Sequence, residues 1–164
     1  MSVSSLEKPK CYLVCGISGS GKTTFAKKFA RDNGLMYFSP DDFYQITNGD
    51  AAIHTHSFDV WLMMLRAIHI AEQTGRSCVV DTNALTKVER SEFLLWFPDF
   101  EFHMIYISAP REVYRRNNLN RARCIPEDVI QRMEAMLEPP VDGEDSRWNT
   151  IVRYRNTGSQ FEIL

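Results

Sequence analysis

Residues 16–23 read GISGSGKT and satisfy the spacing G-x-x-x-x-G-K-[ST] in full. The chemistry such a run supports is phosphate binding. Gly16, Gly19 and Gly21 let the backbone curl until successive N–H groups point inward at phosphate oxygens. A helix opening at the end of the run adds its partial positive charge. Lys22 is placed to reach the β- and γ-phosphates of a nucleoside triphosphate, and the Thr23 hydroxyl to ligate Mg2+. The residues expected to contact ATP are Gly16, Ser18, Gly19, Ser20, Gly21, Lys22, Thr23 and Thr24. A chance match in such a chain is expected roughly once in a hundred times or less, so the run is read as a site and not as a glycine-rich turn.

Carboxylates and arginines complete a transfer chemistry. Moving a phosphoryl group to a hydroxyl needs a carboxylate to receive the acceptor proton, and a group that holds Mg2+ directly or through water. Asp41 is assigned as the base and Asp42 as the second candidate; one of the pair can instead cap a helix before Phe43. Asp81, closing the run SCVVD, is the metal ligand or stands just behind it, and Asn83 in DTNAL is placed beside the acceptor or Asp41. Five arginines and no lysine fall between Arg111 and Arg123. Arginine suits phosphate because its planar fork donates two bonds at once. Arg121 and Arg123, in NNLNRARC, are expected to close as a lid on the transferring phosphate. Arg115 and Arg116 read as a solvated helix face. His54 and His56 read as a surface or substrate loop, because an H-x-H alone does not make a metal site. Phe43, Tyr44 and Trp61 divide between core packing and an acceptor cleft.

These groups must be carried by elements that bring them together. Apolar runs alternate with helical patterns, the signature of a parallel sheet with crossover helices. Strands are expected at Cys11–Cys15, Met36–Ser39, Ser77–Asp81 and Phe102–Ser108, with a further one near Ile151–Tyr154. Helices are expected from Lys22 to about Gly34, from Ser57 to just before Gly75, from a Thr86/Glu89 capping box to Phe97, from Pro110 to Asn118, and from Pro126 to before Pro139. In the long helix, Phe58, Trp61, Leu62, Leu65, Ile68 and Ala71 or Glu72 recur at helical spacing. In such a sheet, ligands bind at the carboxyl ends of the strands, where the glycine run, Asp41 and Asp81 all fall.

The bulk numbers frame this. The chain has 164 residues, 44% hydrophobic and 24% charged, with a formal net charge of −2. That is one globular domain with no global attraction to nucleic acid or membrane, so a nucleic-acid contact needs a local basic patch. Of four cysteines, Cys11, Cys15 and Cys78 lie in apolar runs and read as core thiols, and Cys124 completes the set with no C-x-x-C pair. No signal core or membrane span is visible, and the expectation is a cytoplasmic protein.

GISGSGKTT, SPDDFY, VVDTNAL and RRNNLNRARCIPEDVIQRM together resemble the polynucleotide 5′-hydroxyl kinase-like branch of the small AAA-type P-loop kinases, over most of residues 11–136. The resemblance implies an α/β P-loop NTPase fold: a five-stranded parallel sheet, helices on both faces and an arginine-bearing lid. It would form a single domain over 11–164, behind a flexible segment 1–10. It implies Asp41 as base, an acceptor-side role for Asp81 and a lid arginine best matched by Arg121. It also places an arginine three residues after the base, against acceptor phosphate, where this chain has Tyr44. Acceptor binding by Asp42, Tyr44, Asp81 and Asn83 is expected, with Tyr44 stacking on an acceptor base. The implied reaction uses ATP and Mg2+, with a polynucleotide 5′-hydroxyl as acceptor. A hydroxymethylated base in DNA, a nucleoside or a small metabolite are the alternatives. A nucleotide-dependent switch without kinase activity is the reading from another class. The oligomeric state is left open.

Overall fold

A computed structural model describes residues 7–122 and 124–164. Twelve elements follow in chain order. They are β1 (Lys10–Cys15), α1 (Lys22–Asp32), β2 (Met36–Phe38), α2 (Pro40–Asn48), α3 (Ser57–Gln73), β3 (Cys78–Asp81), α4 (Lys87–Leu95), β4 (Glu101–Ser108), α5 (Arg111–Leu119), α6 (Glu127–Met136), β5 (Trp148–Asn156) and β6 (Phe161–Ile163). The sheet order is β2-β3-β1-β4-β5-β6. The first five strands are parallel, while β6 returns antiparallel to β5. The expected five-stranded sheet is therefore six-stranded. The added strand, FEI, is three residues long and carries too little pattern to stand out.

β1 lies at the centre, and its alternating side chains feed both faces. Cys11, Leu13 and Cys15 enter the larger core with Met64, Leu65, Ile68 and Ala71 of α3 and Phe93 and Leu94 of α4. Val14 faces the other way, against Ala26 and Ala30 of α1. The buried face of α3 differs from the one expected: Val60 and Met64 are in, whereas Phe58 is 72% exposed. Cys11, Cys15 and Cys78 are buried free thiols, and Cys124 is exposed. Burial pushes the Cys15 thiol up to about 12, which keeps it a protonated packing group. A third, smaller core joins Ile17 of the glycine run to Leu85, Tyr114 and Ile130, and so packs α5 and α6 over the phosphate loop.

Caps set the elements' ends. Thr86 and Glu89 form the reciprocal capping box expected of them. α2 has no counterpart among the expected elements, since Pro40 reads as a breaker. It stands at the first helical position, where its missing N–H costs nothing, and Ser39 caps the helix by accepting from the Asp42 N–H.

Candidate active site

β1 ends at Cys15 and α1 begins at Lys22; the six residues between form the phosphate loop. Gly21, the N-cap of α1, has φ 93° and offers no side-chain cap, and the first turn holds no acidic residue. The helix N–H groups are left for an anion. Glycine is required at three positions here for steric reasons, the first being Gly16, where a Cβ would lie 2.3 Å from the Ile107 carbonyl oxygen. A Cβ on Gly19 would lie 2.3 Å from the Tyr114 carbonyl oxygen, and one on Gly21 would lie 2.5 Å from the Asn156 amide nitrogen.

Three asparagines, one in the loop after β3, one on α5 and one on β5, brace this loop. The Asn83 carbonyl accepts from the Gly16 N–H at 3.1 Å, and its side-chain oxygen accepts from the Ser18 hydroxyl at 3.4 Å. Asn117 of α5 donates to the Gly19 carbonyl at 2.9 Å. Asn156 of β5 donates to the Ser20 carbonyl at 2.9 Å. Carbonyls held outward leave the peptide N–H groups turned toward the anion. Only Asn83 was singled out from the sequence, and for another task; Asn117 and Asn156 carry no motif and are found only when the chain is folded. Asn156→Ala removes one brace from a buried carbonyl, a loss of about 1–3 kcal/mol. A rise in ATP KM of several-fold or more is expected by steady-state kinetics, with the thermal melt lowered by a few degrees.

Lys22 is buried. Burial is the main cause that holds its ammonium below the ordinary lysine range; Asp81 and Asp41 act against it, and Arg121 adds to it. Lys22, Asp41, Asp81 and Arg121 line one cavity. Asp81 is buried and aligned with Val14 across β1 and β3. The Tyr37 hydroxyl donates to its Oδ2 at 2.7 Å. Burial first, and then this carboxylate, push the Tyr37 phenol well above its ordinary value, so it acts only as a donor. Among the described residues, Asp81 Oδ1 and Ser20 Oγ are buried oxygens without a hydrogen-bond partner. An orphaned carboxylate oxygen beside a phosphate loop fits a hydrated Mg2+. Thr23 and Asp81 are the residues that would hold it; no group of three or more His, Cys, Asp or Glu able to hold a metal occurs among the described residues.

The two aspartates of the pair part company. Both are in the first turn of α2, but Asp41 lines a cavity of about 740 Å³ and Asp42 is not among its walls. Asp42, expected on the acceptor side, thus stands off this wall, because adjacent helical residues point about 100° apart. Asp81, Asn83, Tyr44, Trp61 and His54 also line this cavity. Tyr44 is buried, and His54 stacks on its ring at 4.2 Å and 7°. The expected stacking of Tyr44 on an acceptor base meets a face already covered, and Trp61 is the aromatic left to a ligand. A second cavity, of about 430 Å³, runs from Gly19, Thr23 and Thr24 to Asn120 of the lid and the β5–β6 turn at Gly158–Phe161. The two cavities share Lys22, Thr23 and Arg121.

The lid is tied at its root. Asn118 is buried and pairs with both the N–H and the carbonyl of Ile125, which closes the loop that carries Arg121. Glu134 of α6 accepts from Arg111 and Arg115 of α5, joining the two helices. Arg115 is thus part of the lid's frame and not a free solvated face. Arg123 lies outside the described residues. Behind the DTNAL loop, the fully buried Arg90 pairs with Glu144 at 2.7 Å and donates to the carbonyls of Ala84, Leu85 and Glu138. It holds Ala84 at φ 39°, a backbone conformation alanine rarely adopts.

Comparison with known proteins agrees with this geometry. A curated relative, a probable gluconokinase of Rattus norvegicus, is 25% identical over 158 residues, covering 82% of this chain and 85% of the relative. The crystal structure of a sugar kinase from Janibacter sp. HTCC2649 superposes with a TM-score of 0.67 at 21% identity, covering 93% of this chain and 87% of that one. A chain of the Pnkp1/Rnl/Hen1 RNA repair complex superposes with a TM-score of 0.71 at 16% identity, covering 82% of this chain and 46% of that one. At such identities both structures speak for the fold alone, a P-loop NTPase-like α/β fold. The model of the AAA domain matches residues 12–140, most of the chain; the protein belongs to the AAA domain family.

Proposed function

We propose that the protein phosphorylates a hydroxyl of a small metabolite held in the larger cavity, with ATP as donor. The observation that carries this is the meeting of the two cavities at Lys22, Thr23 and Arg121, with Asp41 on the acceptor side. A cavity of about 740 Å³ is of small-molecule size. The name of the rat relative, a probable gluconokinase, supports an acceptor related to sugars. The 5′-hydroxyl of a polynucleotide, expected from the DDFY and DTN segments, has no such support.

The chemistry is ATP-dependent phosphoryl transfer. Asp41 takes the proton of the acceptor hydroxyl as its oxygen forms a bond to the γ-phosphorus and the bond to ADP breaks. Lys22 and Arg121 stabilise the charge on the transferring group, and the packed lid keeps water from competing. Thr23 and Asp81 would hold Mg2+ brought with ATP, which would neutralise charge on the phosphate oxygens.

Arg121→Ala should lower kcat at least tenfold and change ATP KM less, because the guanidinium meets charge that develops in the transition state. An unchanged kcat would make its loop a solvated one. Transfer of labelled γ-phosphate to a panel of sugars, polyols, sugar acids and 5′-hydroxyl oligonucleotides tests the acceptor. Transfer to oligonucleotides and to no small molecule would overturn the proposal.

A further inference from the structure

Among its described residues, the acceptor cavity is poor in unassigned positive charge. Among its described lining residues, the lysine and arginine side chains are Lys22 and Arg121, and both also line the donor cavity. A bound triphosphate engages both and brings its own negative charge to the junction. Asp41 and Asp81 add two carboxylates of the same sign on the acceptor side. His54 is turned to its own chain: Nε2 lies 3.1 Å from the Ala51 carbonyl oxygen, and the ring lies on that of Tyr44, the other titratable group of the wall. A carboxylate or phosphate on the acceptor would give up its hydration, meet like charge and find no dedicated lysine or arginine among the described residues.

What remains of the wall is neutral and matches a different chemistry. Ser57 and Thr82 offer hydroxyls, Asn83 offers an amide, and Trp61 offers an aromatic face. Hydroxyl and amide groups both donate and accept, as the hydroxyls of a sugar do. An indole face covers the apolar C–H side of such a molecule.

We infer that the acceptor is an uncharged polyhydroxylated molecule, a sugar or a polyol, and not a sugar acid or a polynucleotide; this rests on the small-metabolite reading above. The site separates charge by task. Every lysine and arginine described there serves the donor, both carboxylates serve the reaction, and the acceptor is held by neutral groups.

The test compares kcat/KM for a neutral aldose or polyol, for the matching sugar acid, and for a single-stranded 5′-hydroxyl oligonucleotide. The neutral compound should exceed its own acid by tenfold or more. Equal or better use of the acid overturns the inference while leaving a small-molecule kinase. Transfer to the oligonucleotide alone overturns both readings. ATP hydrolysis with no transfer to any neutral sugar or polyol in the panel overturns the inference as well. The panel is repeated on Arg123→Ala, and an acid preference that this variant abolishes also overturns it. Ser57 is exposed at the first position of α3, so Ser57→Arg should fold. By adding a cation on the acceptor side it should shift the acid-to-neutral ratio at least tenfold toward the acid. An unchanged ratio in that variant would mean that the acceptor does not lie against α3, and the inference fails.

Discussion

Lys22→Ala is expected to lower kcat by about a hundredfold or more and leave the fold intact. The ammonium is a charge-assisted donor to the transferring group, and removing one such contact from a water-poor site costs about 3 kcal/mol or more in the barrier. Folding should survive, because burial already works against this cation in the free protein. The same depression gives a pH signature. Phosphate favours the protonated lysine, so ATP binding raises a pKa that burial has lowered. Affinity should be constant below the free protein's value and fall as pH rises through it, with proton uptake on binding in that window. Calorimetry in two buffers of different ionisation enthalpy measures the uptake; Lys22→Ala should abolish it. Near-normal turnover in this variant would remove the phosphate-loop reading altogether.

Asp41→Asn should reduce transfer by between about a hundredfold and ten-thousandfold, the range for a positioned general base, and leave ATP affinity within about twofold. The side chain works on the acceptor proton, so the donor site should not register its loss. Asp42→Asn is the internal control. Asp42 stands in the first turn of α2 but not on the cavity wall. Its substitution loses a helix-dipole interaction of about 0.5 kcal/mol, visible as a small shift in thermal stability with transfer unchanged. Kinetics and melting curves on the two variants decide the matter. If their effects are exchanged, the base is Asp42 and α2 is turned by one residue; if neither slows transfer, carboxylate base chemistry is absent from this site.

The sequence by itself determined the phosphate loop, because its requirements are local. A curl that needs glycine, a lysine one residue beyond it and a helix opening behind are all written within eight residues. The parallel strands and the Thr86/Glu89 capping box were legible for the same reason: short-range pattern and hydrogen bonding decide them. α2 was not, since a proline at the first turn of a helix and a proline that ends a strand look alike until Ser39 is seen to cap. β6 was not, since its partner β5 lies across a turn and three residues hold no period. The tertiary structure alone put Asp41 on the cavity wall and Asp42 off it, because that difference is a rotation about a helix axis fixed by packing. It alone gathered Asn83, Asn117 and Asn156 on one loop from positions up to 73 residues apart, being 156 minus 83. It alone set Lys22 and Arg121 where the two cavities meet and Ser57, Trp61, Thr82 and Asn83 on the wall of the larger one. Charge counted along a chain is a sum, whereas recognition depends on which charges share a cavity, and only folding assigns them.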